Sequence, residues 1–163
     1  MNALDVNEIN RLAPYGVRME DGKFRFHTDH DIAYVVEFEP EPVFEEVLAY
    51  WFGIANRSGK SSPNDPKVRA TIICIIEEFF SKNPDILLYM CDSADDQQAM
   101  RNRLFIRWFN GYEQQQKYYI KTALVVDDGI ETYVAMIVQK SNPNLHSIIE
   151  QFENQIEMFK ENK

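Results

Sequence analysis

Three separate segments of this chain carry apolar residues at helical spacing on one side only, and this feature most constrains the fold. A one-sided apolar stripe must be buried against another element of the protein. The three stripes are Val68, Ile72, Ile75, Ile76 and Phe79; Met100, Leu104, Phe105, Trp108 and Phe109; and Leu145, Ile148, Ile149, Phe152, Ile156 and Phe159. Because the segments around them have strand patterns, the stripes predict helices that cover a sheet.

Capping and stop residues indicate where these helices begin and end. Asp65-Pro66 is typical of an N-cap followed by proline at the first helical position, and Asn83-Pro84 ends that helix. The second helix is predicted over 94–110, and the last one begins near Pro143-Asn144. A shorter helix is predicted over 5–12, ahead of the strand-rich part of the chain.

Strand patterns account for most of the remaining chain. Phe24 and Phe26 alternate with polar residues, as in a strand with one buried face. The sequence Asp127-Asp128-Gly129 is a strong turn signal between two strands of a hairpin. The predicted strands cover 23–28, 32–39, 47–54, 86–90, 118–126 and 130–138. The strand over 86–90 is wholly apolar, which is typical of a strand covered on both faces.

These elements predict an α+β protein with the order β-β-β-α-β-α-β-β-α. The economical arrangement is a single mixed, mainly antiparallel sheet with the helices largely on one face. Neither the order of the strands within the sheet nor the oligomeric state can be read from this pattern. The length of 163 residues fits a single domain over 1–163, with residues 1–20 a loosely attached N-terminal segment.

The net charge and the lengths of the apolar runs indicate which partners and which compartment to expect. The net charge at pH 7 is −9, whereas binding along a nucleic-acid backbone needs a basic surface, so we do not expect nucleic acid as a partner. No apolar stretch approaches the roughly 18 residues of a membrane helix, and the N-terminus does not resemble a signal peptide. We therefore expect a soluble, acidic, cytoplasmic protein in which Cys74 and Cys91 are buried thiols.

No motif in the chain specifies catalysis, a metal or a cofactor. Gly53 and Gly59 are separated by five residues, where a phosphate-binding loop needs four. The segment HTDHD, residues 27–31, contains metal-ligand types but not a third ligand at usable spacing, so we expect an exposed polar turn. Cys91 precedes a helix start crowded with aspartates, which disfavour a reactive thiolate. We assign no catalytic residue, no metal and no cofactor.

One polar group merits attention as a candidate site. On the predicted helix 94–110, which Ser93 caps, Arg101 lies within the apolar face and Gln97 lies beside it. A buried guanidinium needs a partner, and Asp92 at the end of the preceding strand is the nearest carboxylate. One interpretation is an ion pair that fastens the helix to the strand. The other is a pocket for an anionic group, a ligand site formed by Asp92, Ser93, Gln97 and Arg101.

The same part of the chain carries a family resemblance. The sequence LLYMCDSADDQQAMRNRLFIRWFN, with RATIICIIEEFFSKNP before it and SNPNLHSIIEQF after it, resembles a family of short uncharacterised bacterial proteins. That family is typified by a strand ending in Y-x-C-D-S and a following helix with R-x-R-L-F-x-x-W-F. The resemblance extends from about Lys23 onward. It implies a free-standing small domain and brings no activity with it.

The resulting hypothesis is a non-enzymatic binding or regulatory domain that acts through a protein partner or an anionic ligand. It follows from the missing set of convergent acid, base, nucleophile and metal ligands that catalysis needs. The alternative is a small-molecule enzyme with its site at the end of the 86–91 strand, around Asp92 and Arg101. A third possibility treats Tyr50, Trp51 and Phe52 as an exposed patch for self-association, although the strand period predicts that they alternate between faces.

Overall fold

The computed structural model describes residues 1–42, 44–61, 63–92, 107 and 111–161. In chain order its elements are α1 (Val6–Leu12), β1 (Arg18–Glu20), β2 (Lys23–His27), β3 (Ala33–Pro40), β4 (Ala49–Asn56), α2 (Pro66–Lys82), β5 (Ile86–Asp92), α3 (Tyr112–Lys117), β6 (Tyr118–Asp127), β7 (Ile130–Gln139) and α4 (Leu145–Glu161).

The strands form one mixed sheet with the order β1-β2-β3-β4-β5-β7-β6. The pairs β1/β2, β2/β3, β5/β7 and β6/β7 are antiparallel. The pair β4/β5 is parallel, with Ala49 opposite Ile86. The chain is therefore an α+β protein with a single mixed, mostly antiparallel sheet, which confirms the predicted fold class.

The predicted order of elements needs correction in detail. It contains neither β1, whose three residues are all exposed, nor α3, which begins just after Gly111. The predicted helix 94–110 lies outside the described residues, apart from Arg107, which is helical and exposed.

The expected placement of the helices on one face is only roughly right. Ile86 and Leu88 on one face of β5 belong to the core that α4 covers, yet Leu87 and Tyr89 on the other face are also buried. The wholly apolar run over 86–90 indicates a strand buried on both faces, and this holds for residues 86–89, whereas Met90 is 48% exposed.

By its internal contacts the chain divides into two compact units. Unit 1 comprises Met1–Phe38 and Phe52–Pro84, and unit 2 comprises Glu39–Trp51 and Asp85–Lys163. That the chain behaves as a single domain stays a prediction.

Unit 1 is built around aromatic side chains beneath α2. The ring of Phe38 stacks on Phe79 of α2 with centroids 5.2 Å apart and packs against Phe52 at 5.4 Å. The N-terminal segment joins the same helix, since the backbone N–H of Asp5 donates to Glu78 at 2.7 Å. Ile9 of α1 is buried, so the short first helix contributes an anchor to this core.

Unit 2 is built around the apolar stripe of α4. Asn142 forms a turn just ahead of this helix, because its side-chain oxygen accepts a hydrogen bond from the backbone N–H of Asn144 at 2.8 Å. The core of unit 2 consists of Phe44, Ala49, Ile86, Leu88, Met136, Val138, Ile148 and Phe152. From Leu145 to Ile156, the stripe predicted from helical spacing is the face that packs on the sheet, and the side chain of Phe159 lies outside the described residues. Among the helices of the described ranges, none is both long enough and apolar enough to cross a membrane.

Candidate functional site

An apolar cavity of about 370 Å³ lies in unit 2, between α4 and the sheet. Its walls are formed mainly by Phe44, Leu88, Met90, Val125, Val134 and Phe152. The volume falls in the range of roughly 300 to 1,000 Å³ that is usual for small-molecule sites. Such sites combine apolar walls with a few placed polar groups, and this cavity has both.

The principal polar group of the cavity is the carboxylate of Glu41. The indole Nε1–H of Trp51 on β4 donates to Oε2 of Glu41 at 2.8 Å, and both side chains are half-buried. A partly buried tryptophan needs an acceptor for its single N–H, and Glu41 supplies it. Because the indole engages one carboxylate oxygen, the second oxygen can accept a hydrogen bond from a ligand.

Glu41 is held in place by the segment that follows β3. Its backbone N–H donates to the carbonyl of Ala49 at 2.8 Å. Four residues later, the backbone N–H of Glu45 donates to the side chain of Gln151 on α4 at 2.8 Å. Phe44, between these two contacts, is buried in the wall of the cavity. The segment that carries the carboxylate is therefore fixed to both the sheet and the helix.

Several residues that line the cavity have intermediate or high exposure to solvent. Met90, which lines the cavity, is 48% exposed, a high value for a large apolar side chain within a strand. Thr132 of β7 and Gln155 of α4 add polar atoms to the lining. Among the described residues that line the cavity, Glu41 is the only one with an acidic or basic side chain.

The site predicted from the sequence is only partly described. The backbone of Asp92 ends β5, where it pairs with Thr132, a residue that lines the cavity. Ser93, Gln97 and Arg101 lie outside the described residues. The ligand site proposed for these four residues, and the ion pair between Asp92 and Arg101, both stay predictions.

The HTDHD segment forms an exposed turn whose carboxylates pair with lysines. Lys67 contacts Asp29 at 3.0 Å, and Lys60 bonds to Asp31, which also accepts from His27 at 2.9 Å. The hydrogen bond from Lys60 is the main reason that the pKa of Asp31 lies below its ordinary value. Within the described ranges, no group of three or more His, Cys, Asp or Glu side chains is arranged to hold a metal ion.

The two cysteines differ in what can be said of them. Cys74 is a free thiol on α2 and is half-buried rather than fully buried as expected. Its pKa is raised, first by burial and second by the nearby charge of Glu77, which makes it a poor nucleophile at neutral pH. Cys91 lies in β5 opposite Tyr133, and its side chain is outside the description.

Sequence reasoning missed the carboxylate of the cavity. Trp51 was singled out only as one member of an alternating strand, and that alternation is confirmed, since Tyr50 and Phe52 are buried while Trp51 is half-buried. The need of its indole for an acceptor was an available signal. It could not select Glu41, because several glutamates surround this position in the chain.

Comparison with known proteins gives a family and no activity. No curated protein and no solved structure matches the chain. A family of unknown function matches residues 64–154, a narrower range than the expected resemblance from Lys23 onward. Glu41, Phe44 and Trp51 precede the matched region, and Gln155 and Ile156 follow it. The carboxylate of the cavity therefore lies outside the part of the chain that the family model matches. The match spans more than half of the chain, which therefore belongs to the family of unknown function DUF6169.

Proposed function

We propose that this chain is a non-enzymatic binding domain whose cavity in unit 2 holds a small, mainly apolar molecule that carries one amine. The observation that carries the proposal is the cavity of about 370 Å³ with a single carboxylate, Glu41, positioned by Trp51. Apolar walls provide most of the binding free energy in such a site, and a placed polar group orients the ligand.

The charge of the lining supports an amine rather than an acid. A protonated amine donates hydrogen bonds to a carboxylate, and such charge-assisted bonds are stronger than neutral ones. An acidic ligand would face Glu41 with no cation among the described lining residues to offset the repulsion. The anionic ligand suggested by the sequence concerns Asp92, Ser93, Gln97 and Arg101, of which the last three lie outside the described residues, and it is tested separately below.

Three naphthalene derivatives of one shape and different charge test the proposal. These are 1-naphthylmethylamine, 1-naphthylmethanol and 1-naphthoate, each titrated into the protein by isothermal calorimetry at pH 7. We expect the amine to bind about tenfold more tightly than the alcohol, because a hydrogen bond to a charged group contributes about 1.5–3 kcal/mol. We expect the naphthoate to bind most weakly.

Variants connect the binding to the cavity. Ile156→Trp adds volume from α4 into the cavity and should abolish binding of the amine and the alcohol alike. Glu41→Gln retains an acceptor for the Trp51 indole but removes the charge, so it should remove the advantage of the amine over the alcohol. Glu150→Gln, an exposed position on α4, removes the same charge away from the cavity and should change nothing.

Two results would contradict this function. Amine binding that persists unchanged in Ile156→Trp would place the ligand elsewhere. Absence of binding by all three compounds would mean that the cavity is not a ligand site of this class. Tight binding of the naphthoate that Arg101→Gln abolishes would instead support the anion site predicted around Asp92, Ser93, Gln97 and Arg101.

For the compartment we propose the cytoplasm. Free thiols persist in reducing compartments, and Cys74 is a free thiol. A protein partner also remains part of the proposal, and the edge of the sheet supplies a specific candidate for it.

A further inference from the structure

Strand β6 lies at one edge of the sheet, beside β7. It covers Tyr118–Asp127, which is long for an edge strand. The outer side of an edge strand presents main-chain N–H and C=O groups, and such a row can pair with a strand of another chain. Proteins usually prevent this with a proline, a bulge, or a lysine that projects from the edge.

None of these protections operates on β6. The strand contains no proline, and its register with β7 runs without a bulge from Tyr118 opposite Gln139 to Asp127 opposite Ile130. Its one lysine, Lys121, bonds to Glu153 of α4 at 2.8 Å, so the ammonium group is directed over the sheet face. Leu124 is 39% exposed and Val126 is 49% exposed, so the strand also presents apolar surface.

The register identifies which main-chain groups point outward. The N–H of Lys140 donates to the carbonyl of Lys117 at 2.9 Å, and this pair continues the β6–β7 register. Because hydrogen-bonded and non-hydrogen-bonded pairs alternate in an antiparallel ladder, the odd-numbered residues of β6 bond to β7. Ile120, Thr122 and Leu124 therefore direct their N–H and C=O groups away from β7.

We propose that β6 pairs antiparallel with β6 of a second copy of this chain, about a two-fold axis that passes between the two Thr122 residues. In this register, Ile120 lies opposite Leu124 of the second copy, and Thr122 lies opposite itself. Each of these pairs can exchange two main-chain hydrogen bonds, since both members direct their groups outward. The result is a C2 dimer with one continuous sheet.

The sequence of β6 selects this register over its neighbours. An axis through position 121 would place Lys121 opposite itself, and like charges directly opposite destabilise a strand pair. An axis through position 123 would place Tyr118 opposite the turn residue Asp128 and shorten the pairing. The register about Thr122 keeps the outward-directed residues Ile120, Thr122 and Leu124 opposite their counterparts in the second copy.

Because Thr122 lies opposite itself across the two-fold axis, one substitution places the same new side chain on both sides of the interface. Thr122→Lys would place two ammonium groups opposite each other, and Thr122→Glu would do the same with two carboxylates. Sedimentation velocity from low to high micromolar concentration should find a dimer for the unmodified chain and a monomer for each variant alone. An equimolar mixture of the two variants should again contain dimers, because only the mixed pair brings opposite charges together.

Control variants separate this pairing from general effects on folding. Thr122 is exposed, so neither charged variant should disturb the fold of the monomer. Both variants should have the melting temperature of the unmodified chain in its monomeric form and the same far-ultraviolet circular dichroism spectrum. Ile130 at the start of β7 is 42% exposed and lies outside the paired positions. Ile130→Lys removes a comparable apolar surface there, so it should leave the dimer intact. A monomeric unmodified chain would overturn the proposal. So would a dimer that survives Thr122→Lys, or a mixture that stays monomeric.

Discussion

The phenol hydroxyl of Tyr15 donates a hydrogen bond to Oδ2 of Asp65, and both side chains are buried. The other oxygen of Asp65 accepts from the backbone N–H of Lys67 at 3.0 Å, which caps α2. One carboxylate therefore satisfies a helix N-terminus and ties the segment after α1 to it. The ammonium group of Lys67 lies 5.7 Å from the centroid of the Tyr15 ring, which adds a favourable cation–π contact.

Removing the hydroxyl of Tyr15 should destabilise unit 1. We expect Tyr15→Phe to lower the free energy of unfolding by about 1–3 kcal/mol, because a buried carboxylate oxygen loses its donor. Asp65→Asn, which keeps an efficient cap, should cost less than Asp65→Ala, which loses the cap and the contact with Tyr15 together. Denaturant unfolding followed by circular dichroism measures all three. Equal losses for Asp65→Asn and Asp65→Ala would contradict the role of the cap.

The same tyrosine should make the protein sensitive to alkaline pH. The pKa of Tyr15 is raised above its ordinary value of 10.0, first by burial and next by the hydrogen bond to Asp65. A group whose pKa is higher in the folded state contributes stability that is complete below its unfolded pKa and is lost as pH rises through the folded pKa. Stability should therefore fall more steeply above about pH 10 in the unmodified protein than in Tyr15→Phe.

Unfolding measured at pH values from about 8 to about 11.5 in both proteins tests this sign. Tyr50, whose pKa is also raised by burial, is common to both proteins, so it cancels in the comparison. Parallel pH profiles would mean that Tyr15 titrates alike in the folded and unfolded states.

The hairpin between β6 and β7 offers a prediction about backbone conformation. Gly129 has φ of 78° and Asp128 has φ of 49°, as expected for the tight turn that the sequence indicated. Gly129→Ala should cost about 1–2 kcal/mol, because a Cβ disfavours positive φ. Apart from the two chain neighbours of Gly129, no atom of the described residues lies within 4 Å of the added Cβ, so the cost would be conformational.

Gly16 supplies the matched control for this substitution. In the part of the chain that the structure describes, an added Cβ at Gly16 likewise meets no atom within 4 Å beyond its chain neighbours, but the φ of Gly16 is not in the positive range. Gly16→Ala should be neutral or stabilise by about 0.4–1 kcal/mol through the unfolded state. Thermal unfolding compares the two variants, and equal losses would show that φ at Gly129 is not the cause.

Local sequence patterns predicted the helices and strands in which buried and exposed residues alternate at a regular spacing. Phe24 and Phe26 alternate because one face of β2 is buried, and the stripe from Leu145 to Ile156 repeats because one side of α4 is buried. Such patterns are absent from β1, which is exposed throughout, and from α3, whose sequence YEQQQK has no apolar stripe. These two elements were missed for that reason.

Contacts between residues distant in the chain could not be predicted in this way. The parallel pairing of β4 with β5 brings Ala49 beside Ile86, and no local periodicity specifies which strands become neighbours. The cavity has the same origin, since Glu41, Met90 and Gln155 meet only through the topology of unit 2. The sequence shows which residues carry reactive or polar groups. The tertiary contacts determine which of these residues share a site.

Arg101 provides the most direct test of the site that the sequence predicts. If Arg101 pairs with Asp92 in a buried position, Arg101→Met should lower the free energy of unfolding by about 3–5 kcal/mol, because the carboxylate loses its counter-ion. Methionine keeps much of the volume of the side chain while it removes the charge. The double variant Asp92→Asn with Arg101→Met should lose less stability than the sum of the two single losses, as expected for coupled partners.

Arg107→Met, at an exposed position, is the control and should change the free energy of unfolding by less than about 0.5 kcal/mol. Unchanged stability in Arg101→Met would mean that the charge serves a purpose other than folding, and calorimetry with 1-naphthoate would then decide between an anion site and an exposed arginine.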